Sequence, residues 1–169
     1  ASSSVMFTAL RRQDTVTTYY LPHEFCVSGV AGEIFLQPGD LVQVIDSRNT
    51  TLDKDRLLPP LRNDVPIPVQ GLVQNPGTFT RGDVLRFTQV VAKAVPESDT
   101  TVVCMVQRPS VDGLGRDIFV LPQSLIATGG AFAMSPTLQN DSFTFTRVSQ
   151  IPLVTESLVR NMLDMPPDG

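Results

Sequence analysis

The chain has no tryptophan, one histidine, two cysteines, two tyrosines and, among 169 residues, only two lysines, Lys54 and Lys93. Each scarcity removes a class of chemistry. A lone His23 excludes histidine-pair metal sites and leaves a hydrolytic triad short of its usual base. Placed after Leu21-Pro22, it reads as a solvated turn residue. Cys26 and Cys104 lack the paired spacing of a zinc or redox motif. They read as small buried hydrophobes, with a mutual disulfide as the alternative. Thirteen basic residues stand against seventeen acidic ones, for a net charge of −4 with no basic block. No nucleic-acid partner is expected, because such binding needs clustered cations to neutralise phosphates. No apolar run is long enough to span a bilayer, and no signal peptide is visible. The first residue is alanine, which fits a removed signal, a removed initiator Met or a larger upstream region.

What is present is a chain able to build a core, 41% hydrophobic and 18% charged. Fourteen prolines and eleven glycines are scattered through it. That punctuation suits many short strands. Seven are expected, at Val5–Leu10, Thr15–Leu21, Leu41–Asp46, Pro68–Val73, Thr101–Gln107, Asp117–Leu121 and Ser142–Val148. The fold class is therefore mainly β, with some α. Helical spacing of Val84, Phe87, Val91 and Ala94 predicts one helix over Asp83–Ala94, capped by Thr80 or Asp83. On it Phe87 and Val91 face a sheet, while Arg86, Gln89 and Lys93 face solvent. A second helix is predicted over Glu156–Met165, stopped by Pro166 and Pro167. Residues 47–66 carry neither period and read as a linker or arm, with Leu57, Leu58 and Leu61 available to a neighbour.

The chain also repeats itself. "YYLPHEFCVSGVAGEIFLQPGDLVQVID" from Tyr19 parallels "FVLPQSLIATGGAFAMSPTLQNDSFTFTR" from Phe119. Leu21-Pro22 matches Leu121-Pro122, Gly29 matches Gly129, Leu36-Gln37 matches Leu138-Gln139, and Asp40 matches Asp141. Each copy follows an arginine-bearing strand, "ALRRQD" or "MVQRPSVDG". The expected division is residues 1–46 as the back half of a first module and 47–66 as the linker. Residues 67–150 form a complete second module, and 151–169 a helical tail. The first module lacks a front half, which another segment or a longer chain would supply.

These motifs resemble the soluble-ligand-binding β-grasp modules of polysaccharide export proteins. Gly71, Val73, Asn75-Pro76-Gly77 and Phe79 match the family's strand and turn. Residues 84–94 stand where its helix sits. Arg108, Asp112-Gly113 and Val120-Leu121 match its middle, and "LQPGDLVQV", with Pro38, Gly39 and Asp40, its closing strand. The second copy carries "LQNDSFTF" at that point, and "AKAVPE" replaces the usual Ala-Gly-Gly after the helix. The resemblance covers about four fifths of the chain. It implies a β-grasp-like module plus part of a second, in rings around a polysaccharide channel of the cell envelope, in the periplasm or outer membrane. Shallow polar binding would then fall to Gln74, Asn75, Arg108 and Arg116.

From the residues alone, Pro76 and Gly77 predict a type II-like turn. The helix behind it would lie across the sheet, with Phe87 and Val91 as the plug. No catalytic constellation, metal site or cofactor motif stands out, so an enzyme is not expected. Asp40 and Asp141 read as turn caps rather than ligands. Arg81-Gly82-Asp83 matches an integrin-binding tripeptide but reads better as a helix start. Gly113–Arg116 is too short for a phosphate loop and reads as a hairpin tip. Asn49 and Asn140 lie in glycosylation sequons, which matter only on a eukaryotic secretory route. Three functions compete. The first is an oligomeric envelope export component. The second is a structural virion protein, such as a decoration, collar or ring protein, for which Pro-rich arms at 57–68 and 163–169 speak. The third is a periplasmic carbohydrate-binding module.

Overall fold

Strands built from Val, Ile, Phe and Thr at alternating positions need a partner on each edge and a cover on each apolar face. Here eight of them meet in one mixed sheet. A computed structural model describes residues 5–13, 16–28, 37–50, 52, 62–151 and 153. The strands are β1 (Met6–Arg12), β2 (Thr17–Pro22), β3 (Leu41–Asp46), β4 (Pro66–Gly71), β5 (Gly77–Thr80), β6 (Val102–Pro109), β7 (Arg116–Pro122) and β8 (Ser142–Arg147). Their spatial order is β3-β1-β2-β7-β6-β8-β4-β5. The helices are α1 (His23–Ser28), α2 (Phe87–Ala94) and α3 (Gln123–Ile126).

The fold is mainly β with short helices, as the residue pattern predicts. All seven expected strands form, with ends shifted by a few residues. Sequence reading misses β5, α1 and α3, all too short to show a period. The tail helix expected at 156–165 and the arm leucines 57, 58 and 61 lie outside the described residues.

In the second module, β4 and β5 form a hairpin, α2 follows, then β6 and β7 pair. β8 inserts between β6, antiparallel, and β4, parallel. This is the grasp arrangement, with α2 laid across one face. The helix starts later than its periodicity suggests. Residues 81–83 form a separate 3₁₀ turn, and α2 begins at Phe87. The Gln89 side chain closes the first turn by accepting from the Arg86 backbone N–H at 2.9 Å, so neither Thr80 nor Asp83 caps α2. With that later start, Val90 rather than Val91 is the buried partner of Phe87; Val91 is half-buried. Arg86, Gln89 and Lys93 are exposed.

The Asn75-Pro76-Gly77 turn also differs from expectation. The last hairpin pair is Val69 with Gly77, so the connection is a wide loop, not a tight turn. Gly77 has φ +150°, yet the loop's backbone bonds run to the end of α2. Gln74 N–H donates to the Val95 carbonyl and Asn75 N–H to that of Ala94. At the end of β4 that enters this loop, Gly71 has φ +101°, and a Cβ there would overlap the Phe145 carbonyl oxygen. This glycine lets β4 run close beside β8.

Each face of the sheet carries a buried core. Ile67, Val69, Phe87, Val90, Val106, Phe119, Phe143 and Phe145 fill the α2 side. Leu10, Tyr19, Leu21, Ile118, Val120, Val148, Ile151 and Leu153 fill the other.

The two sequence copies are equivalent in strand register. Leu10 pairs with Tyr19 and Val42, as Val106 pairs with Phe119 and Phe143. Gln37 N–H donates to Asp40 at 2.8 Å, as Leu138 N–H donates to Asp141 at 2.8 Å. So Gln37 corresponds to Leu138, one residue away from the match read in the sequence. The copies join where β2 runs parallel to β7, with Tyr20 opposite Phe119. Tyr19, not Tyr20, is the counterpart of Phe119. That offset of one residue turns the copies to opposite faces, since side chains alternate along a strand.

Candidate binding groove

On the α2 side, the first copy carries no covering helix among the described residues, and beyond the buried Phe7 and Ala9 its face turns polar. Cross-strand pairing lays out two rows. One runs Leu41, Arg11, Thr18, Asp117. The next runs Gln43, Ala9, Tyr20, Phe119. Two adjoining hollows, of about 320 and 400 Å³, open over these rows and share Arg11, Thr18 and Tyr20. The loop from Ser110 to Gly115, between β6 and β7, walls one side with Asp112. Asn49 and Ile45 wall the other. The loop is the hairpin tip expected at Gly113. Asp112 shapes it, accepting from the Leu114 N–H at 2.9 Å and from the Ser110 hydroxyl.

Tyr20 forms the groove's aromatic floor. Its ring stacks on Phe119 at 4.6 Å and meets Phe7 edge-on at 6.3 Å. Burial, then the nearby Asp117 charge, pushes its hydroxyl up to about 12 against a weaker pull from Arg11, so it stays protonated and donates. Asp117 is 7% exposed, and burial lifts its carboxyl to about 6. Arg108 and Arg11 oppose the rise and Asp112 adds to it. The groove thus offers a guanidinium, two carboxylates, three hydroxyls and a ring edge within one shallow surface.

The residues expected to bind fall elsewhere. Gln74 and Asn75 are exposed beside the end of α2, where Asn75 Nδ2 donates to the Lys93 carbonyl at 3.0 Å. Arg116 is exposed at the start of β7, 3.3 Å from the Thr17 hydroxyl. Because β4 and β8 run parallel and β6 pairs antiparallel with β8, these two places sit at opposite ends of the strands. Arg108 is not presented to a ligand at all. It is 2% exposed and binds Asp141 through two nitrogens at 2.9 and 2.7 Å, between the rings of Phe87 and Phe119. Asp141 is fully buried; burial pushes its carboxyl up, and Arg108 pulls it back. In the first copy Arg12 and Asp40 hold the same places, 3.6 Å apart.

Asp40 and Asp141 are the turn caps expected. Pro38 and Gly39 shape the first such turn, Gly39 with φ +88°. Phe79 is half-buried against the α2-side core. Arg81 is 5% exposed and donates to the Thr137 carbonyl and to Asn63, so the Arg-Gly-Asp tripeptide is not displayed as a unit. His23 lies at the start of α1, half-buried, 3.0 Å from the Thr8 hydroxyl. Cys26 is exposed and Cys104 buried, and neither forms a disulfide. Only Cys104 is the buried hydrophobe expected, and burial pushes its thiol up.

Sequence reading missed Arg11, Thr18, Tyr20 and Asp117. The signal was the repeat, which carries Ile118 and Val120 in the second copy where the first carries Thr18 and Tyr20. No family model and no curated protein matches the chain.

Proposed function

We propose that the chain is a non-enzymatic structural and binding component of a ring-like cell-envelope assembly, similar to polysaccharide export proteins. The supporting observation is the repeated module: two arginine–aspartate-locked strand sets in one register, one of them completed by a hairpin and helix. Two such modules joined in one continuous sheet make a building block with loops at the strand ends. In this reading the chain works as a homo-oligomer in the periplasm or outer membrane, with glycan as its shallow ligand. The groove supports a glycan over a nucleotide or metal. Arg11 and Tyr20 donate to sugar hydroxyls while Asp112 and Asp117 accept from them, and the near balance of charge offers no phosphate cradle. No step in this reading needs a nucleophile, a metal or a cofactor.

Electron microscopy of the native assembly tests the reading. A closed ring with a central channel is expected; a particle lattice or a strict monomer overturns it. Titration with envelope polysaccharide should give binding that falls at least about tenfold in Arg11→Ala, the loss of about one hydrogen bond to a charged group.

A further inference from the structure

The two copies differ in what lies beyond their closing strands. In the second copy β8 is flanked by β4, and α2 seats Phe87 on Phe143 with ring centroids 5.3 Å apart. Phe143 and Phe145 are 1% and 0% exposed. In the first copy the corresponding residues are Val42 and Val44, by the shared pairing with Leu10 and Val106 and with Thr8 and Cys104. They are 45% and 51% exposed, beside Leu41 at 56%. β3 is an end strand of the sheet, with β1 as its hydrogen-bonded neighbour among the described residues. It carries none of the lysines or prolines that blunt an open edge.

We infer that β3 is a docking edge for a strand–turn–helix segment of the same form as β4–β5–α2, contributed by a partner from outside residues 1–169. The occupant's form follows from the pairing in the second copy. There Val69 lies opposite Phe143, Gln70 opposite Thr144 and Gly71 opposite Phe145. Transferred to β3, the occupant runs parallel to it, with an apolar residue opposite Val42 and a polar one opposite Gln43. A glycine stands opposite Val44, because a side chain there overlaps the neighbouring carbonyl, as at Gly71. A helix with an apolar face then follows and covers Val42 as Phe87 covers Phe143. The chain's own such unit is held by β8 and is not available. Strand addition of this kind draws affinity from the main chain and register from alternate side chains. The inference stands apart from the proposed function and survives if that reading fails.

A photo-reactive phenylalanine analogue at position 42 or 44, introduced into the protein as it occurs in its native assembly, tests it. Both side chains are about half exposed at the sheet edge, so the substitution leaves the core intact. Mass spectrometry of the captured peptide should show an apolar–polar–glycine stretch that leads into an apolar-faced helix and is absent from residues 1–169. Capture of any segment within residues 1–169, whether from the same or a second copy, overturns the inference, as does no capture. Hydrogen exchange on the unsubstituted protein is the second measurement. Amides of β3 should exchange about tenfold or more slower in the native assembly than in residues 1–169 alone; equal rates overturn it.

Discussion

Asp141→Asn tests the lock at the centre of the second copy. The change keeps side-chain volume and one oxygen, which can still accept from the Leu138 N–H now 2.8 Å away. What it removes is the charge facing Arg108, whose two nitrogens lie 2.9 and 2.7 Å from the carboxylate. The guanidinium is 2% exposed and cannot turn to water. Removing one partner of such a pair leaves an uncompensated buried charge, which costs about 3–5 kcal/mol. The rings of Phe87 and Phe119, 5.7 and 5.8 Å from the guanidinium carbon, return a fraction of that. Set against a typical stability of about 5–15 kcal/mol, the loss brings the domain near unfolding. Urea denaturation of Asp141→Asn, Arg108→Met and the double variant Arg108→Met/Asp141→Leu gives the test. The double variant should be more stable than Asp141→Asn, since no charge is left stranded. Its residual loss is about 1 kcal/mol, from the Leu138 N–H left without its acceptor. If Asp141→Asn costs under about 1 kcal/mol, or the double variant is the worst of the three, a buried ion-pair lock is the wrong description.

Phe87→Ala should cost about 3–5 kcal/mol in chemical denaturation, as large-to-small core changes do, while Gln89→Ala, which loses only a cap to Arg86, should cost about 1 kcal/mol. Equal losses would mean that α2 is not packed on β8. Gly71→Ala should destabilise more than Gly77→Ala. Both have positive φ, but only at Gly71 would the new methyl meet a carbonyl, whereas none lies within 4 Å at Gly77; the reverse order in thermal melts would refute the close β4–β8 approach. Asp117 has its carboxyl raised from 3.8 to about 6, so its stabilising contribution is complete below about pH 4 and is lost as pH rises through 6. Asp117→Asn should therefore gain on the wild type across that window, by at most about 3 kcal/mol for two pKa units; a constant difference from pH 4 to 7 would refute the buried carboxyl.

Strands were legible wherever β-branched and aromatic residues alternate, as in Leu41–Asp46, which matches β3 residue for residue. The four-residue β5 was not, because Gly77–Thr80 is too short to show alternation and opens on the glycine of a proline–glycine pair. The late start of α2 was hidden for a different reason. Val84 is buried by the 3₁₀ turn before the helix and mimics the first apolar position of a longer one. Asp40 and Asp141 were read as caps and are caps. Their second role, as partners of Arg12 and Arg108, needs the strand pairing that brings residues 28 and 33 apart in sequence into contact. The arginine-bearing strands before each copy were visible, but the resemblance assigned Arg108 to shallow binding, and the strand pairing instead buries it against Asp141.

The groove and the open edge share one cause. A repeat that keeps its register but joins its twin through parallel strands one residue out of step must present its pleat the other way up. Leu10, Tyr19 and Leu21 therefore face the side closed by Ile151 and Leu153, while Arg11, Thr18 and Tyr20 face the α2 side beyond the reach of α2. The second copy's helix cannot cover the first copy's closing strand, because Val42 follows Leu10 to the opposite face. One covering unit serves one copy. The polar groove is the part of the α2-side face that lies beyond the buried Phe7 and Ala9. The apolar edge at Val42 and Val44 is the face it keeps ready for burial, and a single change of register at β2–β7 would exchange the two.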